Sequence, residues 1–334
     1  MDPFTHAFSG WAISHLIRRK TGSEQDSKGS GFRDRLIAPF CMICAMAPDI
    51  DILVSYLGVE ETLLYRRALT HSVVGLPLLA AALFLLGRRI LPDMKSIRVY
   101  LLALSLCALH VFMDLVNSYG TQVLYPLSNH RFAWDLIFIV DPFWTMSLLI
   151  AGVLGSIPGQ PRQSIGRIGL GLCLIYPLVC LGAREGMYQK LVKDKPSVEQ
   201  VTLLPDAFSP WYWKIIEEKP TEFTLSGRSF GGVQVPQVSF TRVSEDKQKQ
   251  FKESIPFLKT YFWFNRFPAF QEKSDSQLRL LDLRFVSLHP WLTVGRGGDG
   301  APFSLDLFFE SKGYNNLIYA IFGQEKFSRA KENR

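Results

Sequence analysis

Four long apolar runs constrain the fold of this chain more than any other feature of its sequence. They cover residues 69–86, 99–117, 136–157 and 168–183. Each run approaches or reaches the roughly 17–25 residues that a helix needs to cross a bilayer. A fifth run, 36–57, is interrupted by Pro48, Asp49 and Asp51, and a sixth, 4–17, is short. The runs predict an α-helical membrane bundle of about five to six transmembrane helices.

The sequence changes character after about residue 190. Segment 277–285 alternates apolar and polar side chains, and several neighbouring segments are rich in aromatic and β-branched residues. Breaks that contain Gly and Pro, such as 295–302, separate these segments. We therefore expect a transmembrane helical domain over residues 1–185, followed by a mostly β extramembrane domain of roughly six strands over residues 186–334.

Basic residues flank the apolar runs and predict the orientation of the chain. The net charge is +7, and its densest basic stretches lie within 18–35, 87–98 and 158–167. Basic loops are retained in the cytoplasm, so these three loops are expected there and the β domain outside. We expect a multi-pass protein of the inner (cytoplasmic) membrane. The charge comes with no nucleic-acid motif, so the lipid bilayer rather than nucleic acid is the expected partner.

Ionisable side chains in or beside membrane helices are costly and mark functional sites. In the predicted orientation, seven of them fall near the outer face: Asp49, Asp51, His71, His110, Asp114, Asp135 and Asp141. His6 is an eighth if the first segment inserts. His110 and Asp114 are four residues apart and share one helix face. Imidazole and carboxylate ligands without thiolate suit a catalytic zinc, manganese or iron ion. The alternative roles are helix caps for Asp49, Asp51 and Asp141.

Several short motifs occur in a fixed order along the first half of the chain. They are MDPFTHAFSG (1–10), APDID (47–51), LTHS (69–72), His110-x-x-x-Asp114, NSYGT (117–121) and FAWDLIFIVDP (132–142). In this order they resemble the YdjM-like family of membrane-bound, metal-dependent hydrolases over roughly residues 1–185. The pattern is also similar to a reduced form of the site in zinc-dependent phospholipase C.

The family resemblance implies a set of metal ligands: His6, Asp49, Asp51, His71, His110 and Asp114. One position departs from the family, because Arg66 stands where many members have a His. This departure implies either a missing ligand or a position that binds a substrate phosphate.

The first hypothesis is a membrane-bound hydrolase that uses a divalent ion, zinc or manganese, at the outer face of the membrane. Its substrate is a phospholipid, another phosphoester or a lipid-linked molecule. Asp135 or Asp141 is a further ligand or general base, and Arg66, Arg67 or Arg131 contacts the anionic group. The alternatives are a transporter or ion-conducting bundle and a scaffold with a structural metal. A pathway would need ionisable groups through the whole membrane, so clustering at one face favours the enzyme.

Overall fold

The chain divides into two compact units. The first comprises Met1–Leu53 and Arg67–Gly182, and the second comprises Val54–Arg66 and Ala183–Arg334. The computed structural model describes residues 1–17, 28–92, 94–194, 200–207, 210–232, 234–289, 301–310 and 316–328. Residues 18–27 of the predicted cytoplasmic loop and 295–300 of the predicted break lie outside this part of the chain. Segment 54–66, which falls inside the predicted helical domain, clusters with the second unit.

Nine α-helices occur in the described residues. They are α1 (Pro3–Ser14), α2 (Lys28–Met46), α3 (Val59–Tyr65), α4 (Gly75–Ile90), α5 (Ser96–Leu115), α6 (Pro142–Ser156), α7 (Arg162–Asp194), α8 (Glu245–Ser254) and α9 (Phe257–Phe264). Two 3-10 segments, Ala47–Tyr56 and Leu69–His71, interrupt the first unit. The fold class predicted from the sequence, a helical membrane part followed by a mostly β part, is confirmed.

In the part of the chain that the structure describes, three helical segments are long and apolar enough to cross a membrane: Arg35–Tyr56, Ser96–Leu115 and Arg162–Lys193. The pair Val59–His71 and Gly75–Ile90, bent by 67°, raises the count to four if it crosses as one span. The predicted five to six spans were therefore too many for the described residues. Helix α6 has only 15 residues, or about 22 Å, because the carboxylate of Asp141 and the ring of Pro142 begin it there.

Close packing around α1 holds the first unit together. Helix α1 packs on α2 and α6, while α5 packs on α4 and α2. A Cβ atom added to Gly10 of α1 would lie 2.5 Å from the carbonyl oxygen of Cys41 on α2, so only glycine permits this approach. Large apolar side chains such as Leu85, Ile150 and Leu178 remain exposed. Exposed apolar surface on long apolar helices is typical of membrane helices that face lipid.

Within the described residues, the second unit contains a nine-stranded antiparallel sheet in which every strand pairs with the next in sequence. The strands are β1 (Val201–Pro205), β2 (Tyr212–Glu218), β3 (Glu222–Ser229), β4 (Gln234–Arg242), β5 (Pro268–Ser274), β6 (Gln277–Asp282), β7 (Leu305–Phe309), β8 (Leu317–Phe322) and β9 (Glu325–Ser328). Helix α3 packs on α9, where the Thr260 hydroxyl donates to the Glu60 carboxylate at 2.7 Å. Asp282 and Arg284 form an ion pair in the interior, with both side chains about 1% exposed.

Candidate metal centre

Four side chains of the first unit bring ligand atoms within 4.8 Å of one another: Asp49, His71, His110 and Asp114. His110 and Asp114 lie one turn apart near the end of α5. Asp49 and His71 come from the two 3-10 segments, where the helical path is broken and side chains can turn inward. His71, His110 and Asp114 are buried, and Asp49 is partly buried.

In His71 and His110, the Nδ1 atom points away from the cluster and contacts a hydrogen-bond acceptor. Nδ1 of His110 lies 2.6 Å from the carbonyl oxygen of Ala45, which can only accept a hydrogen bond. Nδ1 of His71 lies 3.1 Å from a carboxylate oxygen of Asp51. In the neutral rings both hydrogens are therefore on Nδ1, and both Nε2 atoms present lone pairs to the cluster. Metal-ligating histidines are typically held in this way.

The inner atoms of the cluster form a compact set of electron-pair donors. Nε2 of His71 lies 3.2 Å from Nε2 of His110 and 3.2 Å from Oδ2 of Asp114. Nε2 of His110 lies 3.6 Å from the same Oδ2 and 3.8 Å from Oδ1 of Asp49. Lone pairs and carboxylate charges at these separations repel one another in a buried environment unless a cation lies among them. The residues thus fit a divalent metal ion.

Asp51, one of the predicted ligands, lies on the far side of His71 from the cluster. Its Oδ2 atom accepts from the backbone N–H of Arg67 at 2.7 Å and from the Thr70 hydroxyl at 3.1 Å, in addition to His71. A carboxylate on the outer nitrogen of a ligating histidine fixes the ring and raises its basicity. The structure therefore gives Asp51 an orienting position.

His6, the other predicted ligand outside the group of four, stacks on His110. The two ring centroids are 3.6 Å apart with planes inclined by 19°. Nε2 of His6 lies 3.3 Å from Oδ1 of Asp114, and the side chain is fully buried. All six residues of the predicted set are thus brought together, four of them with converging ligand atoms.

Two nitrogen-containing groups contact the carboxylate of Asp114. The guanidinium of Arg67 lies 2.8 Å from Oδ1 and also donates to the side-chain oxygen of Asn117 at 3.1 Å. The N-terminal amine of Met1 contacts the same Oδ1. Arg67 has a φ of 57°, a left-handed conformation that costs a non-glycine residue free energy and occurs at functional sites.

Arg66, singled out in the sequence because it replaces a family histidine, ends helix α3. Its backbone N–H donates to the Thr62 carbonyl at 3.1 Å, and the residue clusters with the second unit. The guanidinium that reaches Asp114 belongs to its neighbour Arg67. The sequence indicated both arginines as candidates but could not distinguish them. Adjacent side chains point in different directions, and the local backbone conformation decides which of the two faces the cluster.

The NSYGT motif forms a cationic aromatic group beside the cluster. The Tyr119 ring lies 4.8 Å from the guanidinium carbon of Arg67 and 5.4 Å from that of Arg131. Arg131 donates to the Gly120 carbonyl at 3.1 Å, and the backbone N–H of Tyr119 donates to Asn117 at 2.9 Å. The motif thus holds two guanidinium groups on one aromatic ring.

The two predicted catalytic carboxylates have different surroundings. Both oxygens of Asp141 are used structurally: Oδ1 accepts from the backbone N–H of Trp144 at 2.9 Å and Oδ2 from the Tyr176 hydroxyl at 3.0 Å. This is the helix-capping alternative. Asp135 is buried with a φ of 54°. The backbone on either side of it bonds to the end of α5, through Trp134 to Leu115 and Leu136 to Val116, each at 2.8 Å.

The first half of the chain matches a known family. The model of the YdjM inner membrane protein family matches residues 1–187, which is more than half of the chain. This chain belongs to the YdjM inner membrane protein family. The match covers all four side chains of the candidate metal site together with Arg67, Tyr119 and Arg131. The resemblance expected from the ordered motifs is confirmed.

A relative from Bacillus subtilis (strain 168) bears the name "Uncharacterized protein YfhP". It is 26% identical over 300 residues, which cover 86% of this chain and 88% of the relative. The similarity therefore extends beyond the family region into the β unit. No solved structure matches the chain.

Proposed function

We propose that this YdjM-family protein is a membrane-bound, metal-dependent hydrolase. Its substrate would be a phosphoester or lipid-linked molecule at the outer face of the cytoplasmic membrane. The observation that carries the proposal is the inward orientation of two imidazole Nε2 atoms towards two carboxylates, with each Nδ1 fixed by an acceptor. Such a set of oriented nitrogen and oxygen ligand atoms is characteristic of metal sites.

In this proposal Asp49, His71, His110 and Asp114 are metal ligands, and His6 is a further ligand through the nitrogen that faces Asp114. Zinc or manganese suits these nitrogen and oxygen donors. When bound, such an ion polarises a phosphoryl oxygen and lowers the pKa of a bound water. Asp51 keeps His71 in the tautomer that can bind.

Two arginines are proposed to balance negative charge at the site: Arg67 on Asp114 and Arg131 on the substrate. Arg67 offsets the charge of Asp114 and keeps it oriented, since a guanidinium retains its proton in proteins. Arg131, half-buried and lying over Tyr119, is proposed to contact the anionic group of the substrate. Asp135 is proposed as general base because the backbone of its two neighbours is hydrogen-bonded to the end of α5, the helix that carries His110 and Asp114.

A transporter is less well supported than an enzyme. A pathway would need ionisable groups through the whole depth of the membrane. In α5, which the structure describes in full, the only charged or imidazole side chains are Arg98 near one end and His110 and Asp114 near the other. The concentration of these groups at one end of a span favours catalysis at the membrane surface.

The metal site is tested on detergent-purified protein. We expect stoichiometric divalent metal in the wild type, and less in His110→Ala and Asp114→Ala, measured by elemental analysis. His15→Ala is the matched control, because His15 is also buried in the first unit but contacts the Gly152 carbonyl at 3.0 Å instead of the cluster. Full metal content in both cluster variants would refute the site. A phosphoester screen with and without the bound metal then tests hydrolysis.

The outer location of the second unit is proposed from the basic loops and needs its own test. A cysteine at Ser276, in the exposed β5–β6 turn, should react with an impermeant reagent in intact cells. A cysteine at Gln160, in a predicted cytoplasmic loop, should be protected. The five native cysteines are free and buried, so the wild type measures background labelling. The reverse labelling pattern would overturn the orientation.

A further inference from the structure

An apolar groove lies in the membrane part of the first unit. Leu102, Leu109 and Phe112 of α5 and Leu170 and Leu174 of α7 form its walls, and Ile13 of α1 and Leu106 of α5 are buried beneath them. The groove has a volume of about 420 Å³, which is within the usual range for small-molecule sites. Helices α5 and α7 are two of the three candidate spans. The groove therefore opens where the surroundings are hydrocarbon.

The buried residues of the groove continue along two helices into the metal cluster. On α5, Leu106 and His110 are four residues apart and share a face. On α1, His6 and Ile13 are seven residues apart, two turns along the same face. His6 and His110 stack on each other with ring centroids 3.6 Å apart. Both helices thus lead from the groove to the cluster.

The length of the groove matches one leaflet of a bilayer. Leu102 and Phe112 are ten residues apart on α5, a distance of about 15 Å along the helix. This is about half of a hydrocarbon core of roughly 30 Å. At the end nearest the cluster, the aromatic rings of Phe112 and Trp134 pack edge to face with their centroids 5.7 Å apart. The side chain of Trp134 is 43% exposed. Exposed Trp is enriched at the membrane–water interface, which is where lipid headgroups lie.

We propose that the groove binds one acyl chain of a membrane glycerophospholipid and directs the headgroup phosphate to the metal cluster. This inference rests on the proposed function and names its substrate class. In the hydrolysis, the oxygen of one water bonds to phosphorus, the P–O bond to the alcohol breaks, and a proton goes to the alcohol oxygen. The apolar chain accounts for the groove, and the phosphate accounts for the guanidinium group of Arg131.

Acyl-chain binding is tested without any need for hydrolysis. The protein is reconstituted in phosphatidylethanolamine vesicles that contain phosphatidylglycerol with a diazirine in one acyl chain, and the photoadducts are mapped by mass spectrometry. Adducts should concentrate around Ser105, Ala108 and Leu109, three residues of α5 that line the groove. Ala108→Trp fills the groove and should reduce these adducts by at least about fivefold, since the added ring takes the space of the chain.

The matched control is Leu101→Trp, on an exposed position of the same helix outside the groove. Equal adduct yields in the two Trp variants, or adducts spread evenly over α5, would overturn the groove proposal and indicate ordinary surrounding lipid. Adducts with a second copy of the chain at these positions would indicate a helix–helix interface and would also overturn it.

Kinetics separate this inference from the proposed function. Ala108→Trp should raise the KM for long-chain phospholipid about tenfold, equivalent to the loss of roughly two buried methylene groups. Its rate on a water-soluble phosphodiester should equal that of the wild type. Absence of wild-type activity on both substrates, with groove labelling intact, would refute the hydrolase and leave lipid binding established. An equal loss on both substrates would refute the selective role of the groove.

Discussion

Replacing Asp51 tests whether an orienting carboxylate, rather than a direct ligand, stands behind His71. One oxygen of Asp51 accepts three hydrogen bonds, from His71, Thr70 and the backbone of Arg67, at 2.7–3.1 Å. Asp51→Ala removes all three and frees the His71 ring to rotate or change tautomer. Loss of such a partner typically weakens metal binding by about 10–100-fold, or about 1.4–2.7 kcal/mol.

Asp51→Asn should have a smaller effect. The Asn side chain keeps one carbonyl oxygen that can accept from His71 Nδ1, but it lacks the negative charge. A charge-assisted hydrogen bond is about twice as strong as a neutral one, so roughly half of the free energy should remain. We expect metal affinity to fall by about 3–10-fold in this variant.

The assay is competition for the metal by a chelator of known affinity, with detergent-purified protein. Asp141→Ala is the control: it removes a carboxylate cap from α6, which costs about 1 kcal/mol of stability, and should leave metal affinity unchanged. The order expected is wild type, Asp51→Asn, Asp51→Ala and then Asp114→Ala, which removes a ligand. If Asp51→Ala were as severe as Asp114→Ala, Asp51 would be a ligand and the orienting role would be wrong.

Three further perturbations follow from the structure. Arg67→Ala should lower metal occupancy and activity because it frees the carboxylate of Asp114 to turn away from the cluster, whereas Arg66→Ala should stay near wild type in both measurements. Asp282→Ala leaves Arg284 buried without its carboxylate and should destabilise the second unit by about 3–5 kcal/mol in thermal unfolding. Burial lowers the pKa of His289, so unfolding takes up a proton there. Stability of the second unit should fall as pH drops below about 6.5, and His289→Gln should reduce that dependence.

Each of these three predictions has a control variant or an outcome that would contradict it. For Asp282, the control is Asp306→Ala, which breaks the more exposed pair with Arg279 at 2.7 Å and should cost less. A loss with Arg66→Ala as large as with Arg67→Ala would contradict the assignment of the inward guanidinium. An unchanged pH profile in His289→Gln would show that other groups take up the proton.

The helical character of the first unit and the β character of the second were predictable because the pattern of hydrophobic residues determines both. A helix of apolar residues and a strand of alternating residues differ in period, and both patterns are local. The number of spans was not predictable by the same means, since residues 136–140 are as apolar as a helix but form an irregular segment with bends before α6 begins. The short strand Glu325–Ser328 has too few residues to show a period.

The residues of the metal cluster were predictable, but their individual positions were not. The four-residue spacing of His110 and Asp114 fixes their common helix face. The side of His71 on which Asp51 lies depends on the 3-10 turn at Leu69–His71, and the stacking of His6 on His110 depends on how closely α1 packs on α2. These features depend on tertiary contacts such as that of Gly10 with Cys41, which a single sequence does not specify.

The placement of α3 has a consequence for the synthesis of the protein. Helix α3 belongs to the second unit, yet it is encoded between Asp51 and Arg67, which belong to the first unit. Its hydrogen bond from Thr260 to Glu60 joins residues 200 positions apart. A chain made from its N-terminus therefore exposes α3 long before α9 emerges to cover it. Expression of residues 183–334 alone would leave α9 without this partner, so the β unit needs an earlier part of the polypeptide to complete its fold.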